Sequence, residues 1–246
     1  MSDAQTTASA GRWIPLECNP EVLTLWAKKA GLITSQTQFE DIYGLDDELL
    51  GMVPQPVKAV ILLFPLNGSI IAKRQDEDAK IKAEGQPISR RLYAVDAQIG
   101  NTCSTMALLP SLHSPVAFVP ESPLAKFIDQ CQEHAHLLET TPLFTNIHAE
   151  TANTGQTSAV EADMNTDLHF TVFVSAPEAE FRKMAKSARD NASGMRLVEL
   201  DGGRVGPIDR GPCNDLLTDV ANYVKKEYIT SSSSVQFSML ALALPS

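Results

Sequence analysis

Residues 57–66 read VKAVILLFPL, with Pro54 and Pro56 just before them and Asn67-Gly68 just behind. An unbroken apolar run of this length, bounded by turn residues, predicts a strand covered on both faces. Such a strand needs one layer above it and one below. The rest of the chain supplies helices for both. WIPLECNPEVLTLWAKKAGL (13–32) begins as a turn and becomes helical. Asn19 suits the cap, Pro20 the first helical position and Glu21 the first turn, and Val22, Leu23, Leu25, Trp26, Ala30 and Leu32 form an apolar stripe. SPLAKFIDQCQEHAHLLE (122–139) and LLTDVANYVKKEYI (216–229) predict two more helices, and FEDIYGLDDELLGMV (39–53) a short helical region. TDLHFTVFVSA, MRLVELDGG and the closing SVQFSMLALAL read as further strands. The expectation is a single α/β domain, a central sheet flanked by helices.

Three stretches fall outside this pattern. KRQDEDAKIKAEG (73–85) mixes charges and reads as a solvated surface segment with no further role. AETANTGQTSAVEADMNT (149–166) carries no aromatic residue, Lys or Arg and reads as a long loop, a kind that is usually functional or disordered. Residues 176–194 form a polar insertion between two strands. Residues 1–11 read as a flexible tail, leaving 12–246 as the domain.

Composition narrows the function. The 246 residues carry a formal net charge of −10, the wrong sign for a non-specific nucleic-acid binder. Four cysteines lie far apart with no C-x-x-C pair, so a structural zinc site is not expected, and a reduced intracellular setting is. The first residues lack the apolar core of a signal peptide, and no apolar run approaches the roughly 20 residues that span a bilayer.

One cysteine stands apart. In QIGNTCSTMALL (98–109), Gly100-Asn101-Thr102 suits a turn and the residues after Cys103 suit the start of a helix. A thiol at a helix N-terminus is favoured as thiolate, the reactive form; a buried helical cysteine reads the same stretch equally well. A nucleophilic thiol wants a base and an orienter. His169 lies in DLHFTVFV, sharing a strand face with Thr171 and Phe173, and Asp201 ends the following strand in LVELDGG. If those strands are neighbours, His169 and Asp201 can meet. His113, His134, His136 and His148 have no such setting and are read as structural or surface residues.

With these blocks in hand, the chain resembles the ubiquitin carboxyl-terminal hydrolases, papain-like cysteine deubiquitinases. WIPLECNPEVL is similar to the family's opening, DIYGLDDELLGMVPQPVKAVILLFPL to its first core block, and QIGNTCSTMALL to its nucleophile segment. DLHF carries the family's histidine, LVELDGGRVGPIDRG its aspartate, and SVQFSMLALAL its closing strand. The resemblance implies an α-β-α fold with a mostly antiparallel sheet and a knotted backbone. It implies a thiol protease that cleaves amide or ester bonds after the C-terminal glycine of ubiquitin, without cofactor or metal. Cys103 becomes nucleophile, His169 base and acid, Asp201 orienter. The loop at 149–166 falls where the family has a crossover loop that favours small or flexible leaving groups. Pro15, Leu16, Glu17, Cys18, Asn19 and Pro20 would contact ubiquitin, with Ser234, Val235, Gln236, Phe237, Ser238 and Met239. The implied partners are ubiquitin and its C-terminal adducts, with no nucleic acid or membrane. The implied state is a monomer in the cytoplasm, with the nucleus as a second compartment.

The chain also departs from the family pattern. Ala97 stands where the family has its oxyanion glutamine, and Gln98 is one residue late. Ser104 replaces a glycine, and Pro110 interrupts the expected helix. The insertion at 176–194 lengthens the spacing from His169 to Asp201, and is read as a hairpin extension that leaves the two strands paired. Arg210 stands in place of a common histidine. Two readings follow: an active hydrolase, or a ubiquitin-binding protein with weak or no catalysis because the glutamine is displaced.

Overall fold

The computed structural model describes residues 16–85, 116–131, 142–152, 154–155, 167–177, 194–230 and 236–246. Its centre is the predicted strand β2 (Ala59–Pro65). Every side chain of β2 is apolar, and odd and even positions feed opposite layers. Ala59 and Ile61 enter one core and Val60, Leu62 and Phe64 the other. Around it stand β1 (Gln38–Asp41), β3 (Leu168–Pro177), β4 (Met195–Leu200), β5 (Ile208–Pro212) and β6 (Ser238–Ala243). The sheet order is β1-β6-β2-β3-β4-β5, and every pairing is antiparallel.

Helices cover both faces. On the first face lie α1 (Pro20–Ala30), α4 (Pro123–Cys131) and α5 (Pro142–Ala152). Asn19 caps α1 through its side-chain oxygen, which accepts from the N–H groups of Glu21 and Val22 at 2.9 and 3.4 Å. Trp26 of α1 is fully buried and stacks on Phe144 of α5, with ring centroids 5.8 Å apart. Helix α1 ends at Gly31, whose φ of 119° suits glycine, and the next N–H turns back to the Ala27 carbonyl. On the second face lie α2 (Asp47–Leu50), α3 (Gly68–Glu84) and α6 (Leu216–Val224), the last continued by a π-helical turn, Lys225–Ile229. Asn67 caps α3 and Asp215 caps α6. Among the described residues no helix is long and apolar enough to cross a membrane.

Three expectations are corrected. The region 39–53 is mostly not helical: Gln38–Asp41 is a strand on β6, and only Asp47–Leu50 forms a helical turn. Phe39 alone of that strand is buried, so the apolar spacing resembled neither period. Residues 149–152 belong to α5 rather than to a loop, and His148 is a buried residue of that helix. Segment 73–85 lies on α3 and its capping Gly85, and three of its charged side chains, Arg74, Glu77 and Asp78, turn inward, as described below.

Candidate active site

The site grows from strand register. On β2 and β3, Phe64 lies opposite His169. On β3 and β4, Val172 lies opposite Leu200, so the expected pairing of these strands holds despite the insertion. One more step along that register sets Asp201 opposite Thr171, and His169 two positions further on the same face. Diagonal neighbours of this kind are within side-chain reach. Their side chains meet: His169 Nε2 lies 2.9 and 2.8 Å from the two carboxylate oxygens of Asp201. His169 keeps 15% of its side-chain exposure and Asp201 none.

Three donors converge on that carboxylate. The Gly203 N–H donates to Asp201 Oδ1 at 2.8 Å, closing a tight turn after β4. Arg74 of α3 donates from Nη2 to Oδ2. The His169 ring supplies the third. Burial alone would push the Asp201 pKa up. The imidazole beside it, the Arg74 guanidinium and the Gly203 N–H outweigh burial and hold it down to about 2. Position 203 lies close against the pair: a Cβ there would lie 3.3 Å from Asp201 Oδ1, a tight contact, and 3.8 Å from His169 Cε1, an ordinary one.

Behind the pair runs a network of ions. Glu199 is fully buried and takes hydrogen bonds from Thr171 at 3.1 Å, Tyr228 at 2.7 Å and Arg210 Nε at 2.7 Å. Arg210 also grips Glu77 of α3 and lies over the Tyr223 ring. Arg204 donates to Glu77 at 2.6 Å and Asp78 at 2.7 Å. Glu77 is half-buried, which would raise its pKa, yet these two guanidiniums pull it below the usual carboxylate value. The reading of 73–85 as a segment without a role is therefore wrong. Helix α3 carries Ile70, Arg74 and Glu77 at i, i+4 and i+7, a helical stripe with two charges where hydrocarbon is usual. Nothing local in the sequence marks those two charges as different from a solvated face.

Other predicted residues fall as follows. Leu16 and Met239 are buried in the two cores, Glu17, Cys18, Asn19, Pro20, Phe237 and Ser238 are partly exposed, and Gln236 is exposed. The two segments assigned to ubiquitin contact touch each other, since the Cys18 thiol bonds to Ser238; burial nevertheless pushes that thiol up to about 12. Glu17 also abuts Gly155, where a Cβ would lie 2.5 Å from its carboxylate. Burial raises the Cys213 thiol as well. Cys103, Gln98, Ala97, Ser104, Pro110, Pro15, Ser234, Val235, His113, His134 and His136 lie outside the described residues. Among the described residues, no group of three His, Cys, Asp or Glu side chains is placed to hold a metal ion.

Comparison with known proteins matches residues 13–230 to the family "Ubiquitin carboxyl-terminal hydrolase, family 1". Ubiquitin carboxyl-terminal hydrolase 3 of Arabidopsis thaliana is 30% identical over 99% of each chain. A Drosophila melanogaster ubiquitin carboxyl-terminal hydrolase is 31% identical, covering 94% of this chain and 96% of its own. In fold, the chain is similar to the Trichinella spiralis UCH37 catalytic domain, solved bound to ubiquitin vinyl methyl ester. That likeness has a TM-score of 0.65 at 19% identity and covers 97% of this chain and 98% of the other. The chain belongs to ubiquitin carboxyl-terminal hydrolase family 1, and its activity is the cysteine-type hydrolysis that defines the family.

Proposed function

We propose that the chain hydrolyses amide and ester bonds after the C-terminal glycine of ubiquitin, with Cys103 as nucleophile, His169 as base and then acid, and Asp201 as orienter. The observation that carries this reading is the buried His169–Asp201 pair on neighbouring strand ends. Nε2 bears the hydrogen that Asp201 accepts, so the lone pair of the neutral ring belongs to Nδ1. Nδ1 takes the thiol proton, and the thiolate attacks the carbonyl carbon of the terminal glycine. When the tetrahedral intermediate collapses, Nδ1–H protonates the departing nitrogen or oxygen, leaving a thioester on Cys103. Water then gives a proton to Nδ1 and its hydroxide to the thioester, releasing ubiquitin's carboxylate and the thiol. Asp201 stays ionised and stabilises each imidazolium. Of the thiols whose surroundings are described, Cys18 and Cys213 are both disfavoured as thiolates, which supports assigning attack to Cys103. The segment after α5 is read as the strap over the cleft that admits small or flexible leaving groups.

The test is release of a fluorophore joined by an amide to ubiquitin's C-terminus, with Cys103→Ala and His169→Ala alongside. Release by the wild type alone is expected, with ubiquitin still bound by both variants. No release by the wild type, with ubiquitin bound, would make the chain a binding protein instead.

A further inference from the structure

The His–Asp pair is held by a third residue, and that residue comes from α3 rather than from either strand. Asp201 has no exposed side-chain surface, so no bulk water shares its charge. Its oxygens are divided among the Gly203 N–H on Oδ1, Arg74 Nη2 on Oδ2, and His169 Nε2 within reach of both. A carboxylate turns readily about its terminal torsion, which is broad and roughly two-fold. Gly203 fixes one oxygen only. Arg74 fixes the other.

Arg74 is itself held in place. Its guanidinium lies over the Phe64 ring, 5.6 Å from the centroid, and the edge of that ring system meets His169 at 5.6 Å and 82°. Arg204 reaches the Arg74 backbone carbonyl at 3.5 Å, while the Arg204 backbone N–H bonds the Asp201 carbonyl at 3.2 Å. The exchange is reciprocal. Helix α3 gives Arg74 to the turn at 201–204, and the turn returns Arg204 to α3. A cleft of about 190 Å³ opens between α3 and α6 beside Arg74 and Lys73. Both cations already hold carboxylates there, Asp201 and Glu227, so neither is offered to an outside anion.

We propose that Arg74 is a positioning residue for hydrolysis, locking the Asp201 carboxylate in the orientation that His169 requires. This rests on the reading of His169 and Asp201 as base and orienter. Arg74 touches neither substrate nor the reacting atoms and acts through Asp201 alone.

The experiment measures kcat and KM separately for Arg74→Met, Arg74→Lys and Asp201→Asn, and for Arg74→Met combined with Asp201→Asn, using the ubiquitin amide. Arg74→Met is expected to lower kcat by about 100-fold, the scale of a small misplacement in a catalytic group, with KM nearly unchanged. Arg74→Lys keeps the charge without the planar fork and is expected to restore part of the rate. Asp201→Asn with Arg74→Met should be no slower than Asp201→Asn alone, because residues acting as one unit do not add. An unchanged kcat in Arg74→Met, or a loss that multiplies onto Asp201→Asn, overturns the proposal. A second readout needs no turnover: the downfield proton resonance of the His169 Nε2–H. Arg74→Met should shift or erase it in a folded protein, and Arg74→Lys should keep it. A resonance unmoved by Arg74→Met overturns the positioning role even if the wild type proves inactive, which is an outcome that would sink only the catalytic reading.

Discussion

Helices α1 and α3 cover opposite faces of one sheet by different physics. Helix α1 buries Val22, Leu23, Trp26, Ala27 and Ala30, and its hold on the sheet is hydrocarbon. Helix α3 is longer, yet buries only Ile70 completely. It docks through Arg74 on Asp201, Glu77 on Arg204 and Arg210, Asp78 on Arg204, and Lys73 on Glu227. Apolar contact is tolerant of small shifts, because it has no preferred direction. Paired ions are not, since forked guanidinium bonds fix angle as well as distance. On the second face, whose core is also apolar, the helix that reaches the Asp201 carboxylate is the one that docks through ions. The opposite face has only to stay covered.

This contrast can be broken at its ends. Trp26→Ala removes the largest buried side chain of the hydrocarbon face and should cost about 3–5 kcal/mol in urea unfolding. Among the described residues the Trp26 Nε1–H has no partner, so Trp26→Phe loses no hydrogen bond described there and should cost far less. Equal losses in the two variants would mean that packing is not what holds α1.

The ion face should show itself in acid. A free aspartate takes its proton near pH 3.9, and Asp201 in the folded chain near pH 2. The folded value is the lower one, so the native state binds fewer protons between them. The stability due to Asp201 is therefore complete above about pH 4 and lost as pH falls toward 2, on the order of 2–3 kcal/mol in all. Unfolding midpoints between pH 2 and 5 should slope less steeply in Asp201→Asn than in the wild type. Identical slopes would show that the carboxylate is not held as described. The smallest effect belongs to the exposed end of the network. Lys73 keeps 56% of its side-chain exposure, and Lys73→Ala should cost less than about 1 kcal/mol in the same unfolding measurement. A larger cost would show that the ions act as one cooperative unit out to the solvent.

Much of the fold was legible because burial on two faces leaves a plain mark. VKAVILLFPL could be nothing but interior, and Asn19-Pro20 announced the start of α1. The meeting of His169 and Asp201 was legible as a consequence of two adjacent strands, although their register was not. Strand β1 was hidden because QFED is an edge with one buried side chain, and β propensity is weak where one face is wet. The inward face of α3 was hidden for a different reason. Arg74, Glu77 and Asp78 have the composition of a solvated helix, and only their partners on β5 and in the turn after β4 draw them inward. Charge pairing across more than a hundred positions has no local period to read.

The place of β6 sets the order in which the molecule can be completed. It lies between β1 and β2, pairing Gln38 with Ala243 and Ala59 with Leu242. Residues 38–41 therefore have no edge to join until a segment about 200 positions later has been made. At a synthesis rate of about 5–20 residues per second, that edge waits roughly 10–40 s on the ribosome. Closure of the sheet is a late event in the life of each nascent chain, and until then the flank of β2 that β6 will cover is open to whatever chaperone attends it.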